Sequence, residues 1–163
     1  MNKTQRICYV GVLTALYVVL SAFLKFNLIG NIQVDLGYIV FAYALCEFGI
    51  YGTIVGVLGC TLESILFSAY GFSISWATAN MIIGITCGLM FMVKRKLWIR
   101  IIITIIASAI GILFFKTLIE CNLYSIPFAV KIPKNAVAFG VDAAAMIIGL
   151  FMYDKFNKII NLK

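Results

Sequence analysis

The chain has 163 residues, of which 64% are hydrophobic and only 12% are charged, with a net charge of +7 and no histidine. This apolar content is more than a soluble domain of this size buries in one core, which excludes a soluble protein and indicates a membrane protein. The basic residues stand at the ends of apolar segments and form no stripe interleaved with aromatic residues, so no nucleic-acid partner is expected.

A membrane-spanning helix needs roughly 20 apolar residues, so a chain of this length with short connections holds about six. Residues 7–24 carry no charge. Because this run is longer than the apolar core of a signal peptide and no small-residue cleavage site is evident, we interpret it as the first helix. The six predicted spans, in chain order, are residues 6–24, 36–49, 53–69, 75–93, 97–119 and 135–153.

The connections between these spans are polar or rich in turn residues. The first loop covers residues 25–35, and a tight turn is expected at residues 49–52. Residues 120–134 are predicted to form a second polar connection, because they contain Pro127 and Pro133. We therefore predict an all-α integral membrane protein, a six-transmembrane-helix bundle that forms a single domain over residues 1–163 and contacts membrane lipid.

The distribution of Lys and Arg predicts the orientation of the bundle, because short loops rich in these residues stay cytoplasmic. With the N-terminus inside, nine of the thirteen basic residues are cytoplasmic, namely Lys3, Arg6, Lys94, Arg95, Lys96, Arg100, Lys155, Lys158 and Lys163. The other four lie at or near the outer ends of the spans, namely Lys25, Lys116, Lys131 and Lys134. We predict a multi-pass protein of a bacterial cell membrane with both termini cytoplasmic.

Polar side chains recur in the outer halves of the later spans, where an ionisable group is costly unless it is paired or lines a wet cavity. Carboxylates accept hydrogen bonds from ring N–H groups, amides recognise amide-like edges, indole rings stack on planar rings, and lysine binds a carboxylate or phosphate. The sequence therefore predicts an outward-facing pocket for a nitrogen heterocycle, covered by the first loop. The predicted substrate-binding residues are Glu63, Trp76, Asn80, Lys134, Asn135 and Asp142.

Each of these residues also has a purely structural interpretation. Glu63 could pair with a lysine across the bundle, and Asp142 or Asn80 could hold helices together. Trp76 could be an interfacial aromatic residue.

The same ambiguity applies to the basic and acidic residues near the predicted ends of the spans. Lys116 and Glu120 stand four residues apart and could simply pair with each other. Lys131 and Lys134 could extend to the membrane interface. Glu47 is placed toward the cytoplasmic side, so we expect it to take no part in substrate binding.

Several chemistries have no sequence support. A P-loop of the form GxxxxGK[ST] is absent, as are a GxSxG elbow, an HExxH helix and a nucleophile–base pair. The five cysteines show no CxxC spacing, and four of them lie in apolar segments. We therefore expect no enzyme activity, no catalytic residue, no cofactor and no metal, and any energy for transport must come from a partner or a gradient.

Four passages carry a resemblance to a known family. They are Val12 to Ser21, Gln33 to Tyr38, the glycine-rich third span and Pro133-Lys134-Asn135. The chain resembles, over nearly its whole length, the substrate-binding S components of energy-coupling factor (ECF) transporters, which are importers of the ABC type. The resemblance implies that the protein captures a vitamin or related micronutrient from outside, under a covering first loop.

The resemblance also implies a docking partner. Gly11 and Ala15 form a small-residue element on the first helix, while Val19 one turn later departs from the repeated form. Such elements allow close helix contact, either within a bundle or with another membrane protein. In this family the partner is a transmembrane coupling subunit that carries two cytoplasmic ATPase subunits.

Two other classes of protein remain open from the residues themselves. A self-sufficient secondary transporter of a small polar solute could use Glu63 and Asp142 as proton carriers, although neither broken helices nor an internal repeat is visible. A membrane scaffold subunit that transports nothing would need no ligand.

Overall fold

The computed structural model describes residues 2–23, 26–28, 32–67, 71–94 and 96–160. Within them the regular elements are helices apart from one short antiparallel hairpin in the first loop, which pairs Phe26 with Val34. Predictions that involve Lys25, Arg95 or Lys163 lie outside the described residues. The elements are α1 Lys3–Phe23, β1 Phe26–Leu28, β2 Ile32–Val34, α2 Gly37–Phe48, a 3-10 turn Gly49–Tyr51, α3 Gly52–Phe67, α4 Ile74–Val93, α5 Leu97–Ser108, a π-helical segment Ala109–Lys116, α6 Thr117–Tyr124 and α7 Phe128–Ile160.

Five helical stretches of the described chain are long and apolar enough to cross a membrane. They are Lys3–Phe23, Gly37–Phe67, Ile74–Val93, Leu97–Tyr124 and Phe128–Ile159. The predicted helical membrane fold is therefore confirmed. The second and third predicted spans both fall in one of these stretches, so the number of six stays a prediction.

The stretch Gly37–Phe67 is folded back on itself as a helical hairpin. Gly49 has a φ of 57°, a conformation that favours glycine, and it ends α2. A Cβ atom on Gly52 would lie 2.6 Å from the backbone of Ala44, and one on Gly56 would overlap the ring of Phe41. Because these pairs lie on either side of Gly49, α2 and α3 run antiparallel in close contact.

The predicted polar connection at residues 120–134 is wrong. Glu120 lies in α6, and α7 begins at Phe128 and continues through Pro133. The backbone N–H of Val130 bonds the carbonyl of Pro127, so this proline stands just before the helix, where its missing N–H costs nothing. Pro133 removes a single backbone hydrogen bond near the start of the helix, a loss that membrane helices tolerate.

One end of the bundle is marked by a cleft of about 670 Å³. Arg6 of α1, Tyr51 of the 3-10 turn, Arg100 of α5 and Tyr153 of α7 line it together. We call this the Arg100 end. The start of α1 and the C-terminal part of α7 therefore lie at the same end of the molecule.

The opposite end, which we call the Glu120 end, brings together α4, α6 and α7. Ser75 and Asn135 both donate hydrogen bonds to the carboxylate of Glu120 there. Between the two ends lies an apolar core of fully buried side chains, which includes Tyr17, Phe41, Leu45, Ile83, Ile112 and Met146.

Large apolar side chains are also exposed on the outside of the bundle. Trp98 is 76% exposed and Val12 is 65% exposed. Soluble monomers rarely present such a continuous apolar surface, whereas a protein in a bilayer contacts acyl chains with it. The exposed apolar residues thus agree with a bundle surrounded by lipid.

Candidate functional site

At the Glu120 end, the carboxylate of Glu120 forms ion pairs with two lysines. Lys116 Nζ lies 2.9 Å from Oε1, and Lys131 Nζ lies 3.3 Å from Oε2. Glu120 is only 8% exposed and Lys116 only 4% exposed. A buried charge is tolerated when it has a partner with good geometry, so the three side chains stabilise one another in the membrane interior.

Asn135 lies at the centre of the same network. Its Oδ1 accepts a hydrogen bond of 2.6 Å from Lys116, and its Nδ2 donates to Thr117 at 2.9 Å and to Glu120 at 3.2 Å. Ser75 at the start of α4 donates to Glu120 at 3.3 Å. Three helices are therefore joined by one polar cluster.

Trp76 borders this cluster. The ammonium of Lys116 lies 4.3 Å from the centroid of the indole ring, which is a favourable cation–π geometry. The half-buried ring thus helps to place the lysine. The predicted stacking of Trp76 on a substrate stays a prediction.

A second polar cluster lies deeper in the bundle, around Asn80. The hydroxyl of Tyr38 donates to Asn80 Oδ1 at 2.7 Å, and Asn80 Nδ2 donates to the carbonyl of Gly56 at 3.4 Å. Asn80 is completely buried. It therefore joins α2, α3 and α4, as the interhelical alternative for this residue requires.

Asp35 fixes the end of the first loop to α1. Its Oδ1 accepts hydrogen bonds from the Ser21 hydroxyl and from the backbone N–H of Gly37, the latter at 2.8 Å, while Oδ2 accepts one of 3.2 Å from the Tyr17 hydroxyl. Burial raises the pKa of the Asp35 carboxyl, and the hydrogen bonds from Ser21 and Gly37 act in the opposite direction.

Asp142 and Glu63 are two further buried carboxylates. Asp142 is 2% exposed and Glu63 is 7% exposed. The charges of Asp35 and Lys116 both act on Asp142, and Asp35 and Glu63 also interact electrostatically. Among the described residues, Oδ2 of Asp142 has no hydrogen-bond partner. Asp142 therefore interacts electrostatically both with Lys116 at the Glu120 end and with Tyr38 of the deeper cluster.

The structure thus buries four of the six predicted site residues and leaves Trp76 half-buried at their edge. Lys134 is the exception, since it is exposed, and Lys131 contacts Glu120 instead. The two lysines differ because residues 131 and 135 lie on one face of α7, whereas residue 134 is turned about 100° away from residue 135. The binding role proposed for Lys134 stays a prediction.

Sequence reasoning missed the hydroxyl groups of the site. Five of them form hydrogen bonds at Asp35, at Asn80 or at the Glu120 end, namely Tyr17, Ser21, Tyr38, Ser75 and Thr117. One signal for them was available, because residues 17 and 21 stand four apart and so share a helix face. As for metals, the described residues contain no group of three or more His, Cys, Asp or Glu side chains that could hold an ion.

The small residues of α1 lie on a different surface. Gly11 and Ala15 are exposed, and a Cβ atom on Gly11 would meet nothing within 4 Å. In contrast, Gly59 of α3 packs against the ring of Tyr17. The Gly11–Ala15 face is therefore not used in packing this bundle.

Glu47 lies far from both polar clusters. It lines the cleft at the Arg100 end and is exposed. Arg100 closes the same region by donating to the carbonyls of Phe91 and Lys94, at 3.4 and 3.2 Å. The separation that the sequence predicted between Glu47 and the candidate site is present in the structure.

A lipid-facing bundle with buried polar clusters near one end defines a multi-pass membrane protein equipped to bind a small polar molecule. Residues 1–158 match the sequence profile of the family described as the ECF-type riboflavin transporter, S component. The chain belongs to this family. As an S component it is the substrate-capture subunit of an ECF-type vitamin importer and not an enzyme, so the resemblance seen in the sequence is confirmed.

Solved structures of S components share the fold. The S component for biotin from an ECF-type ABC transporter has a TM-score of 0.70 at 19% identity, covering 97% of this chain and 95% of that one. FolT bound with folic acid has a TM-score of 0.70 at 19% identity, with coverage of 92% and 93%. The S component of a bacterial ECF transporter has a TM-score of 0.67 at 20% identity, with coverage of 98% and 99%. A search of curated proteins finds no match.

Proposed function

We propose that this chain captures a nitrogen-heterocycle vitamin or related micronutrient outside a bacterial cell, in the polar interior below the Glu120 end. The observation that carries the proposal is the set of buried polar groups that includes Glu120, Asn135 and Asp142. The family is named for riboflavin, and solved relatives are described with biotin and folic acid. All three compounds contain a ring N–H next to a carbonyl group, which amide and carboxylate side chains recognise.

The proposed orientation places the Glu120 end outside and the Arg100 end in the cytoplasm. Basic residues gather near the Arg100 end, including Arg6 and Arg100, as the charge rule for cytoplasmic loops requires. Taking α2 and α3 as separate spans gives six transmembrane helices and puts both termini on the cytoplasmic side. Import then requires docking on a transmembrane coupling subunit that carries two cytoplasmic ATPases.

Substitutions at the site test where the substrate binds. A screen of riboflavin, biotin, folic acid and related heterocycles should first reveal which compound stabilises the purified chain, because a ligand that binds the folded state raises its melting temperature. Glu63→Gln and Asn135→Ala are then expected to weaken binding of that compound about 5- to 150-fold, since each leaves a hydrogen-bonding partner unsatisfied. Isothermal titration calorimetry measures the change.

The matched control for this test is Glu47→Gln. It makes the same chemical change as Glu63→Gln, but in the cleft at the Arg100 end. Affinity is expected to be unchanged. If the Glu47 variant binds weakly while the Glu63 and Asn135 variants bind normally, the substrate binds at the Arg100 end and the proposed location is wrong.

The exposed face of α1 supports a docking role for Gly11 and Ala15. Gly11→Leu and Ala15→Leu are expected to reduce co-purification with the coupling subunit and to leave vitamin affinity unchanged, because added bulk prevents close helix contact. Gly140→Leu is the control, since Gly140 is also exposed and a Cβ atom there also meets nothing within 4 Å. Normal co-purification of both α1 variants would argue against docking through this face.

A further inference from the structure

We infer that the ring bound by this chain presents adjacent N–H donors to Asp142, as in an amino group beside a ring N–H on a 2-amino-4-oxopyrimidine. The inference rests on the proposed function and concerns the chemistry of that same site. It starts from a comparison of Asp142 with Glu120 and Asp35, the two other carboxylates of the site whose hydrogen bonds and ion pairs are described above.

Asp142 differs from the other two in its hydrogen bonding. Both oxygens of Glu120 are contacted by lysines, and both oxygens of Asp35 accept hydrogen bonds from protein groups. Oδ2 of Asp142 is buried and has no partner among the described residues. A buried polar atom in this state is unfavourable until a donor reaches it.

Lys116 is the cation whose charge acts on Asp142, but its ammonium is already committed. It bonds Asn135 at 2.6 Å, pairs with Glu120 at 2.9 Å and lies over the ring of Trp76. These contacts hold it at the Glu120 end. The donor that completes Asp142 must therefore come from another source, and in a capture protein that source is the substrate.

Two phenols of the site do not supply that donor either. Tyr17 and Tyr38 both interact electrostatically with Asp142. The Tyr17 hydroxyl gives its proton to Asp35, and the Tyr38 hydroxyl gives its proton to Asn80. Each phenol oxygen is left with lone pairs only. Neither phenol therefore supplies a donor to Asp142.

This arrangement discriminates between classes of heterocycle. An amino group next to a ring N–H offers parallel donors that match the two oxygens of a carboxylate. The imide edge of riboflavin offers one N–H between two carbonyl oxygens. Only one oxygen of the carboxylate would then gain a donor, and a carbonyl oxygen would face the other. The site thus favours an amino-substituted ring over a flavin, although the family is named for riboflavin.

The test uses the full-length chain in detergent micelles, with folic acid and pterin as probes of the amino-substituted edge and riboflavin as the imide probe. Titration calorimetry is expected to give at least about 5-fold tighter binding of folic acid or pterin than of riboflavin. Asp142→Asn is expected to weaken binding of the amino-substituted probe about 5- to 150-fold. Because an amide offers both a donor and an acceptor, the preference over riboflavin should also shrink.

Asp154→Asn is the matched control, since Asp154 is half-buried and paired with the exposed Lys158 near the Arg100 end. This variant is expected to keep both the affinity and the preference. Tighter binding of riboflavin than of both amino-substituted probes would overturn the inference and leave the proposed function standing. An unchanged preference in Asp142→Asn would overturn it as well. If folic acid, pterin, riboflavin and biotin all fail to bind, the inference fails and the proposed function loses its support.

Discussion

Reconstituted alone in lipid vesicles, the chain is expected to bind its vitamin without accumulating it. Adding the coupling subunit and the two ATPases is expected to give uptake that depends on ATP. The reason is that the sequence has no P-loop and thus no means of coupling nucleotide hydrolysis to movement. Binding by itself cannot maintain a gradient, because a ligand shifts an equilibrium only by its differential affinity for the two states. Filter assays with radiolabelled vitamin measure both quantities.

The control for this experiment is a complex whose ATPases lack the P-loop lysine, which contacts the nucleotide phosphates. It should bind vitamin and show no accumulation. A secondary transporter would behave differently, since a proton gradient imposed on vesicles containing the chain alone would then drive uptake. Sustained uptake of that kind would assign the buried carboxylates Glu63 and Asp142 to proton transfer and contradict the proposed mechanism.

The sequence was sufficient to predict the membrane fold and the S-component family. Long uncharged runs such as residues 7–24 have few interpretations other than a membrane helix, because so many apolar side chains cannot be buried in a soluble core of this size. The number and length of these runs do not depend on details of packing. This part of the structure is therefore the most accessible to sequence reasoning.

The boundary of the last helix could not be predicted in the same way. Residues 120–134 contain three charges and two prolines, which is typical of a loop. In the folded chain Glu120, Lys116 and Lys131 neutralise one another, so the charges are compatible with helices. The pair between Glu120 and Lys131 depends on contacts between α6 and α7. The residue pattern of a single segment does not reveal such contacts.

The wrong start of the last helix also explains why Lys134, and not Lys131, was predicted at the site. With the helix predicted to begin at residue 135, nothing indicated which of the preceding lysines faces inward. Once the helix is known to begin at Phe128, the four-residue separation of Lys131 and Asn135 places both on one face, and Lys134 falls outside it. A correct helix start would have been enough to make this distinction.

The buried site residues were found because ionisable and amide groups are rare and costly in membrane helices, so Glu63, Asn80, Asn135 and Asp142 stood out. Hydroxyl groups carry no comparable signal, since Ser, Thr and Tyr are common in such helices and Thr often bonds a carbonyl within its own turn, as Thr14 and Thr61 do here. The partner of Tyr38 is 42 residues away in Asn80. Only the packing of α2 against α4 brings the two together.

Glu120→Ala is expected to destabilise the folded chain by about 3–5 kcal/mol, because it leaves Lys116 buried with no counter-charge and removes an acceptor from Lys131, Asn135 and Ser75. Reversible unfolding in mixed micelles, followed by circular dichroism, measures the change in the free energy of unfolding. The double variant Lys116→Met/Glu120→Leu should recover part of the loss, since an apolar pair of similar size leaves no buried charge at these two positions.

Asp154→Ala provides a matched control, because the Asp154–Lys158 pair is also formed by residues four apart on one helix, at 2.7 Å. That pair is solvent-accessible, with Lys158 73% exposed, so screening limits its contribution to about 0–1 kcal/mol. Comparing the two losses in the free energy of unfolding separates the effect of burial from the effect of pairing two charges. If both cost the same small amount, the Glu120 cluster does not stabilise the bundle, and its lysines are free to contact a substrate directly.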